Sequence, residues 1–127
     1  MVDDYGFLVN PVLTEGQLHG GVAQGIGQAL MEFVSFDENT GQLLSGSLMD
    51  YTLPRAAMLP NFEATLEGAP TKANVLGVKG VGQAGCIAAP QTIVHAVLNA
   101  LSPLKIIHLD MPLTSQSIWR AISASRA

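Results

Sequence analysis

Leu18, Val22, Ile26 and Leu30 recur every fourth position, with Ala29 and Phe33 beside them. That period places them on one face of a helix over about 15–33. Thr14 and Gln17 stand three positions apart ahead of the run, in capping-box form. Residues 2–13 mix short apolar runs with Gly6 and Pro11 and read as a short strand or extended segment ending at Pro11. The helix is poor in propensity. Gly16, Gly20, Gly21, Gly25 and Gly27 together cost about 4–5 kcal/mol relative to alanine. Close packing against another backbone or a cofactor has to offset that.

Polar punctuation organises the middle. Asp37-Glu38-Asn39-Thr40-Gly41 is a turn signal, so 34–37 and 42–48 predict a β-hairpin. Met49 to Pro54 continues as extended chain, and Pro54 and Pro60 bracket a short turn over Arg55 to Leu59. Phe62, Ala64 and Leu66 then alternate with Glu63, Thr65 and Glu67, the pattern of a half-buried strand, which Gly68 to Thr71 ends.

Ile87 to Leu101 predicts a second helix with Pro90 in its first turn. Ile93, Val97, Leu101, Ala96 and Ala100 form its buried side, and His95 faces solvent. Lys105 to Leu109 is a strand candidate. Thr114 caps a last helix with Ile118, Trp119 and Ile122 inward and Arg120 and Arg126 toward its negative end. The sum is one α+β domain over 1–127, with a mixed or mainly antiparallel sheet packed with about three helices.

Composition adds a demand for cover. Apolar residues are 48% of the chain and charged residues only 13%, against about 25% in an ordinary soluble domain. Mean hydropathy is +0.33. Part of the surface therefore expects a partner chain, a second copy or further sequence against it. The net charge of −4 and the scattered Lys and Arg argue against nucleic acid. No apolar run in the sequence approaches a membrane span, and the acidic start lacks the form of a signal peptide. The single Cys86 excludes an internal disulfide and fits a reducing compartment, so a cytoplasmic location is expected.

The chemistry concentrates in Gly77-Val78-Lys79-Gly80-Val81-Gly82-Gln83-Ala84-Gly85. Glycines let main chain approach a ligand closely. A loop feeding a helix N-terminus aims N–H groups at an anion, and Lys79 adds positive charge. The competing reading is a structural turn with a buried Gln83. Gln17 and Gln24 are placed to bond a ligand near the first helix; for Gln24 a packing or solvent-facing amide serves equally. His19 has no metal-ligand spacing and reads as structural, Cys86 reads as a small packing residue, and Asp50 and Tyr51 read as a turn cap and a core aromatic. No metal-binding set is expected.

Asp4-Tyr5-Gly6, Asn10-Pro11, GQLHGGVAQGIGQAL (16–30), MDYTLPRAAMLPNFE (49–63) and GVKGVGQAGCIAAP (77–90) stand in an order that resembles a known family. The likeness is to the C-terminal part of the molybdenum-binding large subunit of the xanthine dehydrogenase / aldehyde oxidase / aerobic carbon monoxide dehydrogenase family, its carbon monoxide dehydrogenase-like branch above all. It runs from about Asp4 to about Ile122. The resemblance implies a molybdenum–pterin dinucleotide bound between domains, with Gln17, Lys79, Gly80, Gly82 and Gln83 lining its site. It also implies a subunit several times longer and partners carrying iron–sulfur clusters and flavin; the lone cysteine provides no cluster site here.

At the position of Gln83 the family has a glutamate, assigned as the base that accepts a proton during substrate hydroxylation. An amide does not accept that proton near neutral pH. The expectation is an oxidoreductase part, inactive alone and without cofactor as an isolated chain. Two alternatives stand beside it: a detached or degenerate module that self-associates, and a small anion-binding protein using Lys79 and the glycines.

Overall fold

Two long helices meet glycine against glycine. The computed structural model describes residues 2–126. It has three α-helices, α1 (Pro11–Leu30), α2 (Ala84–Leu101) and α3 (Ser115–Ser125), with short 3-10 turns at Ala56–Met58 and Ser102–Leu104. At the crossing, a Cβ on Gly85 would stand 2.4 Å from the Leu18 carbonyl oxygen, and one on Gly21 2.8 Å from the Gly85 Cα. Gly25 seats Ala89 and Pro90 in the same way. Part of the propensity cost of the α1 glycines is thus offset by backbone-close helix packing.

α1 begins earlier than its apolar period indicates. Asn10 is the cap, its Oδ1 accepting the Leu13 N–H at 3.1 Å, and Pro11 takes the first helical position, where a missing N–H is harmless. The Thr14–Gln17 capping box does not form. Thr14 is buried inside the helix and donates its hydroxyl to the Asn10 carbonyl at 3.0 Å. The helix stops at Leu30, where the Met31 and Glu32 N–H groups both turn back to the Gly27 carbonyl, so the exposed Phe33 lies beyond it.

α2 also starts early, at Ala84, because the Ala84 N–H already bonds the Val81 carbonyl at 3.1 Å. Pro90 therefore lies inside the helix rather than in its first turn, buried against Gly25. The seam with α1 sets the buried face through Ala84, Ala89, Pro90 and Leu101, so Ala96 and Ala100 are exposed instead of buried; His95 is exposed as expected. Ala84–Leu104 is long and apolar enough to cross a membrane on length and composition, contrary to the reading of the bare sequence. Its glycine seam with α1 and its internal Pro90 are features of a packed helix.

The expected sheet is not formed among the described residues. Two isolated antiparallel bridges stand in its place, Gly6 with Val78 and Phe36 with Leu43. The hairpin shrinks to its turn, with Asp37 N–H to the Gln42 carbonyl and Leu44 N–H to the Ser35 carbonyl, both at 2.8 Å. Residues 61–67 fall in no helix, turn or bridge and make no backbone hydrogen bond among the described residues, and 105–109 form no strand, since Lys105 is left-handed at φ 58° with its N–H on the Ser102 carbonyl at 2.9 Å. Alternation specifies a half-buried surface; a strand also needs a second backbone within hydrogen-bond reach.

α3 is capped by Thr114 as expected, its Oγ1 accepting the Ser117 N–H at 3.2 Å. None of its residues is buried, and Trp119, expected inward, is 65% exposed. The core is small: Tyr5, Ile26, Ala29, Ala84, Ala89, Leu101 and Leu113, the last 1% exposed and held by its N–H to the Ala29 carbonyl at 2.7 Å. The chain exposes 9165 Å². A compact protein of its mass exposes about 6,450 Å², so roughly 2,700 Å² of surface is in excess. Met49, Ile107 and Val75 are among the large apolar residues left bare.

Candidate functional site

The glycine loop is held by a carboxylate and an amide. Asp4 Oδ1 accepts the Gly6 N–H and the Ala69 N–H, each at 3.0 Å, while Asp4 Oδ2 takes the Lys79 ammonium. Three segments are tied at one side chain. The Lys79 ammonium and these two N–H groups hold the Asp4 carboxyl down at about 2, against an ordinary 3.8. Asn74 grips the loop from its other side, donating to the Val78 carbonyl at 2.9 Å and accepting the Val78 N–H at 3.1 Å.

Gly77 turns the chain at φ +67°, a region side chains disfavour, and its carbonyl collects the Phe7 N–H at 2.9 Å and the Thr71 N–H at 3.0 Å. The Lys79 N–H then reaches the Tyr5 carbonyl at 3.1 Å, which locks the loop to the N-terminal segment. Burial pushes the Tyr5 phenol up, and the Asp3 charge adds to it.

From this clamp the chain passes Gly80, Val81 and Gly82 into α2. Gln83 is its N-cap residue, but the side chain makes no capping bond and is exposed. Its carbonyl accepts the Cys86 N–H at 3.2 Å, the Ile87 N–H at 3.3 Å and the Cys86 thiol at 3.3 Å. The reading of Gln83 as a buried structural amide is therefore not met. Gly80 and Gly82 have open space where a Cβ would go, as do Gly16 and Gly20 on α1.

Gln17 and Lys79 come together, lining one cleft of about 280 Å³ with Tyr5, Val78 and Val81. Gln83 is outside that lining, yet it lies two residues before the Gly85 that packs on Leu18, the neighbour of Gln17. Gln24 is exposed, and by helical spacing it shares a stripe with Gln17 and Gln28.

His19 packs its ring on Phe62, with centroids 5.4 Å apart. Asp50 caps its turn as expected, through the Ser47 hydroxyl at 2.8 Å. Tyr51 is not a core aromatic; its hydroxyl donates to Glu32, which raises the phenol's pKa. Among the described residues no three His, Cys, Asp or Glu side chains stand together as a metal set.

Asp4 and Asn74 carry roles that the residue pattern did not single out. An Asp two residues before a glycine is the available signal for Asp4, since it bonds backbone two positions on.

The chain thus pairs a helix crossing sealed by glycine with a clamped glycine loop entering the second helix. Residues 1–60 match the family model described as a molybdopterin cofactor-binding domain. The chain is 40% identical over 120 residues to the nicotine 6-hydroxylase large subunit of Paenarthrobacter nicotinovorans, covering 94% of this chain and 15% of that protein. It is 36% identical over 121 residues to the carbon monoxide dehydrogenase large chain of Hydrogenophaga pseudoflava, covering 95% and 15%. Its structure is similar to that of quinoline 2-oxidoreductase from Pseudomonas putida 86, with a TM-score of 0.88 and 38% identity over 94% of this chain and 15% of that one.

The chain belongs to the molybdenum-binding large-subunit family of xanthine dehydrogenase and carbon monoxide dehydrogenase. It spans about 15% of the length of these relatives.

Proposed function

We propose that this chain forms one wall of the molybdenum–pterin pocket of a hydroxylase or dehydrogenase large subunit, with Gln17, Lys79, Gly80, Gly82 and Gln83 lining it. The observation that carries this reading is the set of glycines with nothing against them. Gly16 and Gly20 cost α1 about 1 kcal/mol each, and among the described residues nothing lies within 4 Å of where a Cβ would stand. Gly80 and Gly82 likewise leave main chain bare at the approach to α2. Bare backbone beside exposed amides fits a polar, many-membered ligand that approaches closely.

The Gln17–Lys79 cleft, at about 280 Å³, is below the roughly 300–1,000 Å³ of a complete ligand pocket. This supports one wall rather than a whole site, with the rest of the subunit closing it. Iron–sulfur and flavin centres belong on partner chains, and a cytoplasmic location fits the single Cys86.

When bound, the cofactor supplies metal-centred redox chemistry. The chain's own part is to bind and orient. The Gln17 amide offers both a donor and an acceptor to the pterin edge. Lys79 has its charge engaged by Asp4, so its work is to hold the loop as much as to attract an anion. Gln83 offers an amide where a carboxylate would take a proton, and positioned bases contribute about 10²–10⁴-fold in rate. Hydroxylation by this chain alone is not expected.

The experiment is co-expression with the remaining large-subunit and partner chains, followed by molybdenum analysis and pterin fluorescence. Both are expected in the assembled complex, and their absence there overturns the reading. In that complex Gln83→Glu is expected to raise turnover by about 10-fold or more; an unchanged rate places the proton transfer elsewhere. The second reading, a self-associating module without chemistry, is favoured by the excess exposed surface. A monomer by light scattering removes it.

A further inference from the structure

We propose that residues 61–67 are an open edge strand that pairs with a basic, alternating strand from the large-subunit polypeptide outside this chain. The inference rests on the reading of the chain as one part of such a subunit. Residues 60–68 fall in no helix, turn or bridge and make no backbone hydrogen bond to any described residue. A row of unpaired N–H and C=O groups is a template for another strand.

Residue chemistry along this row alternates, apolar with polar. Phe62 and Leu66 are half-buried, while Glu63, Ala64, Thr65 and Glu67 are exposed. A partner strand placed beside them meets apolar positions on one face and acidic ones on the other. Cross-strand pairing then favours a partner that alternates apolar with basic residues.

The groove beside the segment agrees with that chemistry. It is a cleft of about 770 Å³ between 61–67 and the first half of α1, and its charged lining is Asp3, Glu63 and Glu67, with no lysine or arginine. Two buried polar atoms in this lining, Asp3 Oδ2 and His19 Nε2, have no hydrogen-bond partner among the described residues, the Glu15 carboxylate standing 3.9 Å from the imidazole. A lysine or arginine entering from the partner strand satisfies the first, and a backbone or hydroxyl group satisfies the second.

A second copy of this chain fits poorly. Its own edge is equally acidic, and the net charge of −4 sets copy against copy. The remaining subunit is the better source, since relatives matched over 15% of their length have ample chain to contribute.

The test takes the full 127-residue chain and a labelled eight-residue peptide alternating lysine and valine, read by fluorescence anisotropy. Binding with Kd on the order of 10–100 μM is expected, as for strand addition to a sheet edge. The same peptide N-methylated at alternate residues keeps its charge but loses its backbone donors, and it is expected not to bind. A glutamate–valine peptide is also expected not to bind, and Glu63→Lys with Glu67→Lys reverses the preference between the two charged peptides.

Equal binding of the N-methylated peptide, or no binding of any, overturns the proposal. A dimer that the lysine–valine peptide dissociates assigns the edge to a second copy and overturns it too. Hydrogen exchange in the assembled large subunit settles the source. Amides of 61–67 are expected to be protected there and unprotected in the isolated chain. Unprotected amides in a complex that holds molybdenum overturn the pairing and leave the pocket reading standing; protected amides in a complex without molybdenum do the reverse.

Discussion

Gly21 and Gly85 are enclosed, each against the other's helix, whereas Gly80 and Gly82 look into open space a few residues away. The same residue type does opposite things in neighbouring places. In the seam, hydrogen in place of a methyl group permits two helices to touch and so serves the stability of this chain. In the loop it leaves backbone free, the surface that the proposed cofactor wall would present. Closed glycines are read from internal distances; open ones point outward.

The sharpest break of this contrast is Gly85→Ala. Its Cβ would meet the Leu18 carbonyl oxygen and the Val22 nitrogen, at 2.4 and 2.7 Å, and backbone yields little. Overpacking of this kind costs about 1–3 kcal/mol or more. That corresponds to a loss in Tm of roughly 5–15 °C for a domain of this size, measured by calorimetry or circular dichroism. A Tm within 2 °C of the parent, on the order of a few tenths of a kcal/mol, would mean the seam is looser than the geometry indicates.

Gly82→Ala is the matched opposite. The isolated chain is expected to keep its Tm or to gain, within about 1 kcal/mol, because nothing stands near the new methyl group and the unfolded chain loses freedom. In the assembled complex the same substitution is expected to lower molybdenum and pterin content severalfold. Equal cofactor content in parent and variant would reduce Gly82 to a plain loop residue.

The smallest effect concerns the clamp that separates the two regions. The Asp4 carboxyl is held at about 2 in the fold, below its ordinary 3.8. A depressed carboxylate lends stability above the unfolded value and loses it as pH falls through the folded one. The tie of 4 to 69 and 79 is therefore expected to loosen between about pH 4 and pH 2, seen as faster amide exchange at Ala69 and Gly6. Asp4→Asn should remove that pH dependence. Exchange that stays pH-dependent in the variant, after correction for the intrinsic rate, would place the acid-sensitive group elsewhere.

Helix existence was legible in the bare chain, because a four-residue apolar period needs only local geometry to become a face. The starts of the first two helices were misplaced by four and three residues, since Asn10-Pro11 and the Ala84 N–H act through caps and carbonyls that periodicity does not register. Trp119 was expected inward from the same period that placed Ile118 and Ile122. α3 rests so lightly on the rest of the chain that Trp119 is left bare. Of the site, Gln17 and Lys79 do share a cleft. The Asp4 clamp escaped notice because its three partners lie as far as 75 positions away along the chain.

Sequence alone determined the periodic helices, the glycine loop, the shortage of charge and the likeness to a family, all of which depend on order and composition. Tertiary structure decided which glycines are sealed and which are open, that Lys79 is engaged by Asp4, and that alternating segments remain unpaired. Those outcomes depend on which backbone lies within reach of which, and reach is a property of the folded chain.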